Sequence, residues 1–102
     1  MIEKVFKMTI GNEKTIEPVI QDELLHYMHM ILNKDEALPV HFSNSNVYMT
    51  VLRGTLSIAL GDRETHEYSS HTILKIPEGT KMNVRNLHDE TLEITVVKVP
   101  AP

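Results

Sequence analysis

A chain of 102 residues with 10 Lys+Arg against 14 Asp+Glu, a formal charge of −4 and no cysteine has room for one hydrophobic core and little to spare, because small domains bury a smaller share of their surface. The acidic balance, with no Lys/Arg block, leaves no electrostatic footprint for a phosphate backbone, so nucleic acid is not an expected partner. Without cysteine there are no disulfides, thiolate zinc sites or cysteine nucleophiles, and stability must come from packing.

The chain begins MIEKVFKMTI, which interleaves charged and apolar residues instead of building an apolar leader. No later apolar run approaches the roughly 20 residues that span a bilayer. The expectation is a cytoplasmic protein with no membrane contact. Residues 1–102 read as one domain, without linker, repeat or low-complexity stretch.

In chain order the period is two throughout, and no helical stripe is sustained. Residues 24–32, LLHYMHMIL, are apolar on both faces apart from Tyr27 and two histidines, as in a strand buried on both sides. Homodimerisation through that strand is expected. His26 and His29 are an odd number of residues apart, so they leave opposite faces and cannot enter one lumen together. NKDE from Asn33 closes this strand.

Next comes VHFSNSNVYM at 40–49, one histidine followed by small amides and hydroxyls. Gly54 then separates two strands, and Leu56, Ile58 and Leu60 oppose Thr55, Ser57 and Ala59. GDRE from Gly61 and PEG from Pro77 read as hairpin turns, by the turn chemistry of Gly, Pro and Asp. In TLEITVVKV, Leu92, Ile94 and Val96 point one way and Thr91, Glu93 and Thr95 the other. That strand ends before Pro100, which has no amide hydrogen for a ladder. Short, regularly spaced strands with such turns make a sandwich or small barrel.

Residues 41–54 and IPEGTKMNVRN at 76–86 resemble the two signature motifs of the cupin superfamily, separated as there by a short strand–turn–strand. His41 matches the first histidine of the first motif and Gly54 its closing glycine; Pro77, Gly79 and Asn86 match the frame of the second. The resemblance spans about residues 33–97 and implies an all-β, cupin-type double-stranded β-helix, a jelly-roll barrel. Its chemistry residues depart from the pattern: Ser43 stands for the second histidine, Val47 for the glutamate, Met82 for the last histidine and His71 for the opening glycine of the second motif. One of four ligand positions keeps its ligand. A nitrogen- and oxygen-bound divalent ion needs three or more protein ligands, so no metal and no other cofactor is expected.

By analogy with the family, His26, Met28 and Met30 face inward and His29 outward, toward a dimer interface. His66 and His88 read as exposed. His41 is either a histidine bonded to Ser43 or a neighbouring Asn, or a general base or ligand-orienting donor, since imidazole titrates near neutrality. The SNSN run either links two strands through side-chain to backbone bonds or lines a polar rim. Met28, Met30, Met49 and Met82 would share the lumen with His41. Thioethers with imidazole suit Cu(I), whereas methionine more commonly fills irregular cores.

The candidate ligand-binding set is therefore His41, Ser43, Asn46, Val47, Met28, Met30, Met49 and Met82, with His41 as the candidate catalytic residue. The favoured expectation is a metal-independent cupin that holds a small, partly apolar molecule in its lumen. Two others stand beside it. One is a small enzyme, either a metal-free isomerase or lyase with His41 as base or a metalloenzyme with reassigned ligands. The other is an assembly module with a filled barrel.

Overall fold

The computed structural model describes residues 1–102. Nine strands form: β1 (Thr15–Gln21), β2 (His26–Leu32), β3 (His41–Phe42), β4 (Asn46–Arg53), β5 (Thr55–Leu60), β6 (Thr65–Ser69), β7 (Ile73–Ile76), β8 (Lys81–Arg85) and β9 (Leu92–Val99). They make a five-stranded sheet in the order β1-β2-β9-β4-β7 and a four-stranded sheet in the order β3-β8-β5-β6. All pairings are antiparallel. From β3 onward the chain crosses between the two sheets at most of its turns, which rolls them face to face into a jelly roll. No helix of the protein is long and apolar enough to cross a membrane.

Alternation along each strand decides what goes inside. Val47, Met49 and Val51 of β4 meet Leu92, Ile94 and Val96 of β9, with Met30 and Leu32 of β2 beside them. Leu56 and Ile58 of β5 and Met82 and Val84 of β8 close the opposite wall. With Ile76 these form one contiguous cluster of 13 buried residues. Fully burying such a side chain stabilises the fold by about 1.5–3 kcal/mol, so this filled interior is the main source of stability.

Two backbone positions show why the motif frame persists. Gly54 has φ +80° at the β4–β5 turn, and a Cβ there would lie 2.4 Å from the Thr91 carbonyl oxygen. Both the conformation and the close approach require glycine. His71, which replaces the family's opening glycine, keeps a left-handed φ of 71°, so the turn geometry has outlasted the residue that suits it best.

The N-terminal half departs from the sequence expectation in two ways. The apolar strand begins at His26 and not at residue 24, because the Asp22 carboxylate accepts the amides of Leu24 and Leu25 at 2.9 and 3.0 Å and fixes a turn there. Leu24 is left exposed. Ahead of it, TIEPVIQ forms β1 in spite of Pro18, which sits beside a register shift on the sheet's edge, where a missing amide hydrogen is tolerated.

His29 does point away from the lumen, as expected, but it has no exposed surface. Its cover comes from within the chain. Glu17 of β1 lies across from it, and residues 9–12 are tied down nearby. The Thr9 amide and hydroxyl donate to Glu17, both at 2.9 Å, and Arg53 donates to the Asn12 side chain and the Gly11 carbonyl at 2.6 and 2.7 Å.

Candidate functional site

The positions at which the first motif would hold a metal are occupied by groups already committed elsewhere. His41 lies opposite Met82 in the short β3–β8 pair, but its ring is exposed and Nδ1 donates to the Pro39 carbonyl at 2.7 Å. Ser43 is buried; its hydroxyl donates to the Pro77 carbonyl at 2.8 Å and accepts the Thr80 amide at 2.9 Å. Val47 offers no donor atom, and Met82 is buried in the core. No three His, Asp or Glu side chains gather closely enough to hold an ion. The iron, manganese or zinc centre implied by such a fold therefore does not fit these residues.

The SNSN run is a clasp between the two motifs. Ser43 also donates its amide to Thr80 and accepts that of Gly79, both at 2.8 Å. Ser45 donates to the Pro100 carbonyl, and the Asn46 side chain accepts the Glu78 amide at 3.1 Å. Asn86, retained from the second motif, is fully buried and donates to the carbonyls of Leu32 and Glu90 at 3.0 and 2.9 Å. These polar residues satisfy backbone groups that would otherwise be stranded at the turns.

The methionines are likewise structural. Met30, Met49 and Met82 belong to the buried cluster and Met28 packs against it. The lumen expected to be an open, methionine-lined cavity is filled by those side chains. His41 is exposed at the β3 edge, whereas Met30, Met49 and Met82 are given over to the core.

An open groove of about 660 Å³ lies instead between the β5–β6 hairpin and the β7–β8 turn. Its floor is Ile58 and Leu60, its far wall Pro77 and Thr80, and its near rim Gly61, Arg63, Glu64, His66 and Tyr68. His66 stands opposite Ile58 and Tyr68 opposite Leu56 in the β5–β6 ladder, so both share the inward face of that sheet. His66 is exposed, as the sequence led one to expect, but on the rim of a concavity. Glu64 comes within 3.9 Å of its Nε2. None of the candidate ligand-binding residues read from the sequence lines this groove. The sequence did carry a signal: the alternation of Leu56, Ile58 and Leu60, continued across a tight GDRE hairpin, puts His66 and Tyr68 on the same face.

Two further histidine clusters lie outside the barrel. His29 Nδ1 is 2.7 Å from Glu17 and Nε2 is 2.6 Å from Glu93, and Arg53 Nε is 3.2 Å from the other Glu93 oxygen. Two carboxylates can both accept only when the ring carries a proton on each nitrogen. The His29 hydrogen bond, followed by the Thr9 amide, holds the Glu17 carboxyl below its ordinary value.

On the outer face of the four-stranded sheet, Glu67 accepts from His88 and, at 3.1 Å, from buried Ser57. Those bonds, His88 first, likewise hold the Glu67 carboxyl below its ordinary value. His88, expected to be exposed, is half-buried and engaged. In this arrangement the carboxylate sits between serine and histidine, so His88 does not face the hydroxyl and the serine–histidine contact of an activated nucleophile is absent.

No protein-family profile matches the chain. It is 34% identical to an uncharacterised protein of Methanocaldococcus jannaschii, across 100% of this chain and 89% of the relative. A crystal structure from the same organism, described as an RmlC-like cupin family protein with a double-stranded β-helix fold, superposes with a TM-score of 0.94 at 34% identity, covering 98% of this chain and 93% of that one. A cupin superfamily protein of Desulfitobacterium hafniense, at 10% identity, shares the fold with a TM-score of 0.76 over 91% of this chain and 83% of its own.

Proposed function

This chain belongs to the RmlC-like cupin superfamily, and from that premise we propose that it is a metal-independent binding module holding a small, partly apolar molecule. The ligand site is the groove at the barrel mouth and not the lumen. One observation carries this reading: an apolar floor of Ile58 and Leu60 is ringed by polar side chains from the β5–β6 hairpin and the β7–β8 turn. A concave apolar surface with a few convergent polar groups is what small-molecule sites share.

The test is a fragment screen followed by amide chemical-shift mapping. Hits are expected to move residues 58–68 and 77–80, and Leu60→Trp, which fills the floor, should abolish those shifts while the protein stays folded. Hits that map elsewhere, or that survive Leu60→Trp, would overturn the assignment.

The filled barrel also favours a second reading, assembly with another copy of the chain. Tyr27 and Tyr48 flank Val97 across adjacent strands on the outer face of the five-stranded sheet. That strip remains partly exposed, and Val5, Phe6 and Met8 of the N-terminal segment add further exposed apolar surface. A dimer in light scattering that Tyr48→Glu converts to monomer would support it; a wild-type monomer at micromolar concentration would exclude it.

A further inference from the structure

The groove's polar groups divide sharply by whether the protein already satisfies them. The Thr80 hydroxyl donates to the Pro77 carbonyl at 2.8 Å and its amide to Ser43. The Gly61 amide donates to the Lys81 carbonyl at 2.8 Å and the Arg63 amide to the Leu60 carbonyl at 3.2 Å. The Tyr68 hydroxyl, the His66 ring and the Arg63 guanidinium have no hydrogen-bond partner in the protein; the nearest approach is Glu64 to His66, at 3.9 Å.

The arginines sharpen this contrast. Arg53 is held by Glu93, Asn12 and Gly11, and Arg85 by the Thr65 hydroxyl at 2.7 Å. Arg63 alone of the three is uncommitted, and it is the one on the groove. A guanidinium presents its N–H groups as a rigid planar fork that matches a carboxylate with two parallel hydrogen bonds.

Resting on the groove reading above, we propose that the ligand is a small monocarboxylate with an apolar body, its carboxylate taken by Arg63 at the rim and its body laid on Ile58 and Leu60. Tyr68 and His66 supply additional donors for an oxygen substituent. The rim's own charges set the limit of one negative charge: Glu64 lies beside Arg63 on the same lining, and Asp62 precedes them in the turn. A phosphate ester carrying two charges would meet one cation and a facing carboxylate, with repulsion offsetting the attraction.

The test is a titration followed by amide shifts at pH 7, using 3-phenylpropanoate, its neutral amide 3-phenylpropanamide, and phenyl phosphate on the wild type, Arg63→Gln and Lys75→Gln. Lys75 lies in β7 of the other sheet and is exposed, so its variant controls for net charge. The acid should bind about tenfold more tightly than the amide, and more tightly than phenyl phosphate. Arg63→Gln should erase that preference while leaving amide binding and the thermal midpoint in place, and Lys75→Gln should keep it.

Equal affinity for acid and amide at the groove would overturn the monocarboxylate inference while leaving a binding groove in place. So would a stronger response to phenyl phosphate, or a preference that survives Arg63→Gln or vanishes in Lys75→Gln. Absence of any groove shift with all three probes would overturn the inference, and fragments that also fail to bind there would take the groove reading with it.

Discussion

His29 and Glu17 stand across from each other in the β1–β2 ladder, with Nδ1 of the buried imidazole 2.7 Å from the carboxylate. The same carboxylate accepts both Thr9 donors, so one ionised group joins the second strand to the N-terminal segment. The His29 hydrogen bond, followed by that of the Thr9 amide, holds the Glu17 carboxyl below the ordinary glutamate value of 4.5 in the folded chain. That contribution to stability is therefore complete above about pH 4.5 and is lost as the pH falls through the lower folded value.

Thermal unfolding followed between about pH 3 and 7 should show a midpoint that is flat near neutrality and drops in the acid range, where Glu67, lowered by His88, adds to the slope in the same direction. Glu17→Gln should make the acid slope shallower. A variant with the wild-type slope would show that the His29–Glu17 bond contributes nothing to acid sensitivity.

Gly54 and Gly61 both have positive φ, +80° and +62°, but only Gly54 is hemmed in by backbone, at Thr91 and Leu92. Gly61→Ala should cost about 1 kcal/mol for the left-handed conformation alone. Gly54→Ala adds a clash with a carbonyl that cannot rotate away and should cost more than about 2 kcal/mol. Chemical denaturation of the two variants decides the order; equal losses would mean that β9 gives way freely at Thr91.

His71 offers the opposite sign. It is exposed, holds φ 71°, and its ring makes only a 3.3 Å contact with neighbouring Ser70. Glycine adopts this backbone without a Cβ penalty. His71→Gly should stabilise the protein by about 0.5 kcal/mol, the part of the left-handed penalty left after the added freedom of the unfolded chain. A lower denaturation midpoint would show that the imidazole contributes more than its contacts indicate.

His41→Ala should leave the thermal midpoint within about 1–2 °C of wild type, since it removes an exposed ring with one hydrogen bond to a carbonyl two residues away, a change of a few tenths of a kcal/mol. Protein prepared without a histidine tag or added metal should carry well under one equivalent of any transition metal in both forms, because Val47 and Met82 replace ligands with buried apolar groups. Stoichiometric metal lost with His41 would place an ion at the β3 edge.

The strand pattern was legible residue by residue because alternation is local. Leu56, Ile58 and Leu60, or Leu92, Ile94 and Val96, declare their face from their own neighbours, and all six are in the core or packed against it. The turn glycines, Pro77 and Asn86 were legible for a related reason: backbone conformation and stranded carbonyls restrict which residue a position accepts. Loss of the metal ligands could also be read directly, since valine has no donor atom in any fold.

The sequence could not say how full the barrel would be, because Met30, Met49 and Met82 suit a cavity wall and a packed interior equally until the opposite sheet is brought against them. Nor could it pair His29 with Glu93, 64 residues away, or lay Arg63 of one hairpin opposite Pro77 of another turn. Those relationships depend on which strands become neighbours and in what register, set by the balance of all the pairings together. Alternation thus fixes each side chain's face, and only the closed pair of sheets decides what that face meets.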